Sequence, residues 1–214
     1  MEKVCKNVVC FSLILLSSLN LLAQDTNRTS ATGKREGKWV GYYEGTNNKR
    51  YEGVFENGLE QGVFLFYENT PNATVIAKRD FSKGNGIAFT TFYDSKGKKV
   101  SEGNFKDKLK QGKWVYYHID GTTIMAEEIY VNGKLDGIRK VFYDSGKPSD
   151  EMNYKNGVLN GKLFKYAENG QIISEEFYVN DAKHGKAIYR DSTGKIVEEI
   201  DFENGRIIKS NKKP

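Results

Sequence analysis

Gly112-Lys113-Trp114-Val115-Tyr116-Tyr117, a few residues, Asp120-Gly121, a run from Thr122 to Tyr130 mixing Thr, Ile and Tyr with charge, then Asn132-Gly133-Lys134-Leu135-Asp136-Gly137: this stretch decides the fold. Its first six residues are rich in aromatic and β-branched side chains and short enough for a strand. Asp120-Gly121 predicts a two-residue hairpin turn, because glycine accepts the positive φ such a turn needs. Residues 122–130 then predict a second strand, and the glycine-bracketed segment 132–137 a loop into the next unit. No window keeps a 3.6-residue apolar period, so helix is expected to be nearly absent.

The same pattern recurs on both sides. Glycines stand at 37, 62, 86, 112, 137, 161 and 185, always 24 to 26 residues apart. Aromatics hold a second register at Phe55, Phe81, Phe105, Tyr130, Tyr154, Tyr178 and Phe202. Gly97, Gly121, Gly146, Gly170 and Gly194 hold a third. Interleaved registers with one period mean a repeat architecture. The expected fold is all-β: an elongated single-layer antiparallel β-meander, or solenoid, of about seven two-stranded repeats over residues 33–209. At about 4.8 Å between strands each unit advances ~10 Å, and the ribbon spans some 65–70 Å. Cohesion is expected between adjacent units only.

The remainder of the 214 residues reads differently. All 22 glycines lie at or beyond Gly33. Residues 1–7 carry Lys3 and Lys6, residues 8–22 are mostly apolar, and Ala23 precedes a polar run, which reads as a secretory signal peptide over 1–23. Residues 24–32 have linker composition and 210–214 form a polar tail. A secreted or periplasmic location follows as an expectation. Loss of residues 1–23 removes both cysteines, Cys5 and Cys10, and lowers the formal charge from +5 to +4. A thiol-free exported chain has no disulfide and no thiolate metal site. So small and dispersed a charge is no footprint for nucleic acid, and no later segment is long and apolar enough to span a membrane.

Residues for chemistry are sparse. His118 and His184 occupy different positions in their units, without ligands at metal spacing, and no nucleophile elbow, phosphate loop or HExxH segment occurs. No catalytic residue, metal site or cofactor is expected. Two rows stand out instead. Glu102, Glu127, Glu151, Glu175 and Glu199, with Glu52 before them, lie three residues ahead of the registered aromatics, and Lys78 interrupts the series. Equivalent positions share a face, so these carboxylates should repeat every ~10 Å, too far apart to share a metal ion. Lys38, Lys113, Lys162 and Lys186 are their expected cross-strand partners, at a few tenths of a kcal/mol each. Tyr43, Tyr67, Tyr93, Tyr117, Tyr143 and Tyr166 form the second row, either as packing between units or as a stacking platform.

Tyr51-Glu52-Gly53-Val54-Phe55-Glu56-Asn57-Gly58-Leu59-Glu60-Gln61-Gly62 resembles a MORN repeat, Y-x-G-x-W-x-x-G-x-x-x-G, and Ser101 to Gly112 echoes the frame. The N-G-x-x-x-G-x-x-x-x-Y spacing of Gly33 to Arg206 is closer to the bacterial MORN variants, which include antitoxin-like proteins of the YwqK type. Gly112-Lys113-Trp114-Val115-Tyr116-Tyr117 is also similar to choline-binding cell-wall repeats. The MORN resemblance implies a non-enzymatic scaffold for a protein partner or envelope component. An antitoxin-like neutraliser or a glycan- or choline-binding module are the alternatives. Exposed edge strands leave end-to-end self-association open.

Overall fold

The computed structural model describes residues 26–83 and 86–213. The signal segment and the start of the linker lie outside the described residues. Eighteen strands follow one another, and no helix occurs among the described residues. The first seven are β1 (Arg28–Thr29), β2 (Arg35–Tyr42), β3 (Lys49–Glu56), β4 (Leu59–Tyr67), β5 (Val75–Asp80), β6 (Ile87–Tyr93) and β7 (Lys99–Lys106). Then come β8 (Leu109–Tyr117), β9 (Ile124–Val131), β10 (Lys134–Leu135), β11 (Gly137–Phe142), β12 (Pro148–Lys155) and β13 (Val158–Tyr166). The chain closes with β14 (Ile172–Val179), β15 (Ala182–Lys183), β16 (Gly185–Arg190), β17 (Ile196–Glu203) and β18 (Arg206–Lys212). Both β10 and β11 pair with β9, and both β15 and β16 with β14, so each couple is one strand interrupted once. Every pairing is antiparallel and joins neighbours in sequence. The result is one open meander of seven hairpin units closed by β18.

The two kinds of turn are exchanged relative to expectation. Asn132-Gly133 is a tight two-residue turn between Val131 and Lys134, with φ of +49° and +78°. Asn57-Gly58, Asn156-Gly157 and Asn204-Gly205 repeat it, and Asp107-Lys108 and Asn180-Asp181 adopt it without glycine. Two successive positive φ values define the type I′ turn, which matches strand twist. The turns at the third glycine register are instead wider. Gly97 N–H donates to Asp94 O and Asp94 N–H to Lys98 O, a three-residue loop whose glycine takes the left-handed position. In the fourth unit the loop is longer still, with His118 N–H bonded to Thr123 O, and Asp120 Oδ1 accepts from Thr122 N and Thr123 N. The expected loop 132–137 is therefore mostly turn plus strand, and each unit begins about three residues before its registered glycine.

That glycine has a cross-strand partner. Gly37 faces Phe55, Gly112 faces Tyr130, Gly137 faces Tyr154, Gly161 faces Tyr178 and Gly185 faces Phe202. All seven registered glycines have positive φ, as bulge positions do. In these units the first two sequence registers are thus one structural element seen from two strands, whereas in the third unit Phe105 faces Ala88.

Both chain ends are more ordered than their composition suggests. In the expected linker, Asn27 N–H donates to Lys38 O, its side-chain amide donates to Val40 O, and its Oδ1 accepts from Val40 N. That side chain extends β1 along β2. At the other end, β18 carries the sheet to Lys212, past the expected boundary at 209, because it pairs from Glu203 back to Glu198 on β17.

Candidate functional site

Strand alternation gives the sheet two faces. One central row runs Trp39, Gly53, Phe64, Arg79, Thr90, Gly103, Trp114, Glu128, Arg139, Met152, Leu163, Glu176, each beside the next. This is the aromatic face, and the core lies along it. Phe64 and Trp114 have essentially no exposed surface, although no second layer covers them among the described residues. They are sealed by neighbours on the same face. Phe55 and Phe81 meet Phe64 edge-on with ring centres 5.1 and 5.6 Å away, and Phe105 meets Trp114 at 5.0 Å. Glycine makes room for them: a Cβ on Gly103 would stand 2.5 Å from the Trp114 ring, and one on Gly53 2.5 Å from Phe64.

The opposite face carries the row Val40, Glu52, Leu65, Lys78, Thr91, Glu102, Val115, Glu127, Lys140, Glu151, Phe164, Glu175, Ile188, Glu199. The carboxylates expected from the sequence therefore share this acidic face, one on every second strand and ~10 Å apart, with a mostly apolar residue between. Each has a cation. Lys49 lies 2.9 Å from Glu52, Lys99 3.0 Å from Glu102, Lys113 2.5 Å from Glu127 and Lys140 3.5 Å from Glu151. Arg190 stands 3.6 Å from Glu175, while Lys213 and Lys186 stand 3.1 and 3.7 Å from Glu199. Of the four expected partners, Lys113 and Lys186 serve, whereas Lys162 lies over the Phe164 ring. Tyr67 donates a hydrogen bond to Glu52 and Tyr117 one to Glu102. The Tyr67 hydroxyl and Lys49 hold Glu52 below the usual carboxylate range. Burial pushes Glu102 up, but Tyr117, Lys99 and Thr91 outweigh it and its pKa falls. Burial and the Glu102 carboxylate raise the Tyr117 phenol to about 12.

The tyrosine row is not a single register. Tyr67, Tyr93, Tyr117 and Tyr166 occupy the last paired position of their strands, opposite Val75, Lys99, Ile124 and Ile172. Tyr43 and Tyr143 come one residue later, at the base of the turn, where their N–H groups bond Asn48 O and Lys147 O. In those two units Tyr42 and Phe142 hold the last paired position, as far from the registered glycine as Tyr67, Tyr117 and Tyr166 are from theirs, so the row mixed two adjacent positions. The two turn tyrosines staple units together: Tyr43 donates to Tyr67 O at 2.7 Å and Tyr143 to Tyr166 O at 2.6 Å. His118 occupies the equivalent place, with Nε2 3.2 Å from Phe142 O and Nδ1 2.8 Å from Asp144. These three residues join neighbouring units, and the hydroxyls of Tyr43, Tyr67, Tyr117 and Tyr143 are engaged in hydrogen bonds.

Two carboxylates on the aromatic face escaped the sequence reading. Glu128 and Glu176 follow Glu127 and Glu175 directly, so alternation sends one member of each doublet to each face. Burial pushes Glu128 up, yet Tyr130 at 2.7 Å, Arg139 at 2.9 Å and the Tyr116 hydroxyl bring it below its ordinary value. Burial likewise opposes Glu176, and Tyr178, Lys183 and Ser174 outweigh it. The signal available was the doublet itself.

A family model described as "MORN repeat variant" matches residues 135–156, 159–180 and 183–204. Residues 135–204 are MORN repeat variants. These are the fifth, sixth and seventh hairpin units, and the first four repeat their strand order and glycine register. MORN repeats mediate binding to proteins or membranes. No curated protein matches the chain. Among solved structures, a mutant S. aureus TarM in complex with fondaparinux, alpha-GlcNAc-glycerol and UDP aligns at 13% identity and a TM-score of 0.27, over 63% of this chain and 21% of that one. At that score the likeness bears on neither fold nor function. Among the described residues no helix is long and apolar enough to cross a membrane, and no group of three or more His, Cys, Asp or Glu side chains is placed to hold a metal ion.

Proposed function

We propose that this protein is an exported, non-catalytic scaffold that holds a protein partner along its acidic face. The observation that carries the reading is the row from Glu52 to Glu199, in which carboxylates repeat every second strand except where Lys78 stands, with side chains such as Val115, Phe164 and Ile188 between them. The same face also presents Val54, Phe89, Val100, Met125, Ile138, Phe177 and Val197, each roughly two-fifths exposed. An extended segment with basic residues and apolar residues in the same rhythm is the chemistry such a surface fits. The N-terminal 23 residues support export. A non-catalytic role rests on spacing: carboxylates ~10 Å apart on an open sheet do not converge on one reacting atom.

Affinity capture from the exported fraction tests this, with wild-type protein beside a Glu127→Lys, Glu151→Lys, Glu175→Lys variant. The reading expects a protein retained by the wild type and lost from the variant at moderate salt. Retention by both, or capture of envelope glycan alone, contradicts it.

A further inference from the structure

The second unit reverses the charge pattern of the aromatic face. Glu128 and Glu176 stand on second strands, opposite Trp114 and Leu163. Each is answered by a cation of the following unit, Arg139 at 2.9 Å and Lys183 at 3.0 Å. Arg79 holds the equivalent place on β5, opposite Phe64. Arg79, Arg139 and Arg190 are the half-buried arginines among the described residues, and the other two each face a glutamate, at 2.9 and 3.6 Å. Arg79 has neither an ion pair nor a hydrogen bond among the described residues. Its guanidinium lies instead 5.2 Å from the centre of the Phe66 ring and 5.4 Å from that of Phe105. Rings attract its charge but give its five N–H donors no oxygen acceptor.

A cleft of about 300 Å³ opens beside Arg79, walled by Phe81, Ile87, Ala88 and Phe105. That volume is at the lower end of the range for small-molecule sites. Lys183 reaches Glu176 from the entry of its own unit, whereas the entry of the third unit brings Gly86, Ile87 and Ala88 to the cleft, none of them charged. Glu60, Asp107 and Lys108 complete the charged part of the lining, and all three are exposed. The chemistry that fits is one planar anion on a compact apolar body. A carboxylate takes two guanidinium N–H donors side by side, and apolar walls favour hydrocarbon over water. Glu60 and Asp107 count against an anion of higher charge.

We propose that this cleft binds a small monocarboxylic acid, its carboxylate paired to Arg79 and its apolar body held between Phe81, Ile87 and Phe105. The ligand supplies to Arg79 the carboxylate that Arg139 finds in Glu128. The cleft lies on the aromatic face, so the inference is independent of the partner assigned to the acidic face.

Titration of the full chain with 3-phenylpropionate at constant ionic strength, followed by amide chemical shifts, tests it beside 3-phenylpropanamide, acetate and phenyl phosphate. Saturable shifts are expected at Arg79, Phe81, Ile87 and Phe105 and not along the acidic face. The amide keeps the body without the charge, acetate keeps the charge without the body, and phenyl phosphate brings a second charge. Each is expected to bind at least about tenfold more weakly. Arg79→Lys keeps the charge and loses the planar fork, and its affinity is expected to fall at least about tenfold. Absence of saturable shifts in the wild type overturns the proposal. Equal binding of any of the three comparison ligands, or undiminished binding by Arg79→Lys, overturns it as well. If Arg79→Lys fails to fold, the wild-type comparison of 3-phenylpropionate with its amide decides alone.

Discussion

At the residue scale the aromatic face depends on what glycine leaves out. Gly103→Ala places a methyl group against the Trp114 ring, which has no space to withdraw into. We expect a loss of about 1–3 kcal/mol, the range for overpacking, read from urea unfolding. Gly112→Ala meets no atom within 4 Å, so its cost is the left-handed backbone alone, about 1 kcal/mol. The carboxylates set the response to acid. Glu52, Glu102, Glu128 and Glu176 all have depressed pKa values in the folded chain. Their contribution is therefore complete above the ordinary glutamate pKa and lost as pH falls below it through the folded values. The urea midpoint should drop from about pH 5 downward, and less steeply in a Glu128→Gln, Glu176→Gln double variant. At the alkaline end, burial and the Glu102 and Glu176 carboxylates raise the Tyr117 and Tyr178 phenols to about 12. Folded-state stability is held below the ordinary tyrosine pKa and lost as pH rises through 12. Ultraviolet titration should show phenolate from these two rings later than from free tyrosine.

At the element scale the turns carry the register. Asn-Gly at 57–58, 132–133, 156–157 and 204–205 supplies the two positive φ angles that join one unit to the next. Gly133→Val is expected to cost more than 1 kcal/mol, since a β-branched residue resists φ of +78° and Leu109 already crowds the site at 3.1 Å. Gly97→Val in the wider loop strains the backbone similarly but meets no neighbour, so its thermal unfolding midpoint should fall less. Strands, their order and the repeat length were legible in the sequence because glycine and aromatic registers survive single-residue shifts. Turn type was not: Asp120-Gly121 is a strong hairpin signal alone, but here Asp120 accepts backbone N–H bonds from Thr122 and Thr123 inside a wider loop closed by His118 N–H on Thr123 O. The offset of Tyr43 and Tyr143 was hidden because tyrosine stands at either of two adjacent positions, Tyr42 and Phe142 taking the paired one in their units. Repeat equivalence alone predicted the carboxylate row, whereas the packing of Lys110 over Trp114, Tyr116 and Tyr130 needs a bulge at Gly112 to assemble.

At the scale of the whole molecule the sheet is a chain of neighbours. Among the described residues every ladder joins consecutive strands, the aromatic contacts run within a unit or between adjacent units, and no second layer clamps the ribbon. Stability should then behave as a sum of unit and interface terms. Removing β18 uncovers Phe202 on β17, and its effect should fade within about one unit. The central claim is tested most directly by hydrogen exchange on a chain cut after residue 155, which lacks the sixth and seventh units and β18. The account predicts amides of β2 to β9 as protected as in the full chain, with loss confined to β10–β12 at the new edge. Uniform loss of protection through β2–β9 would contradict it, because cohesion would then reach beyond adjacent units.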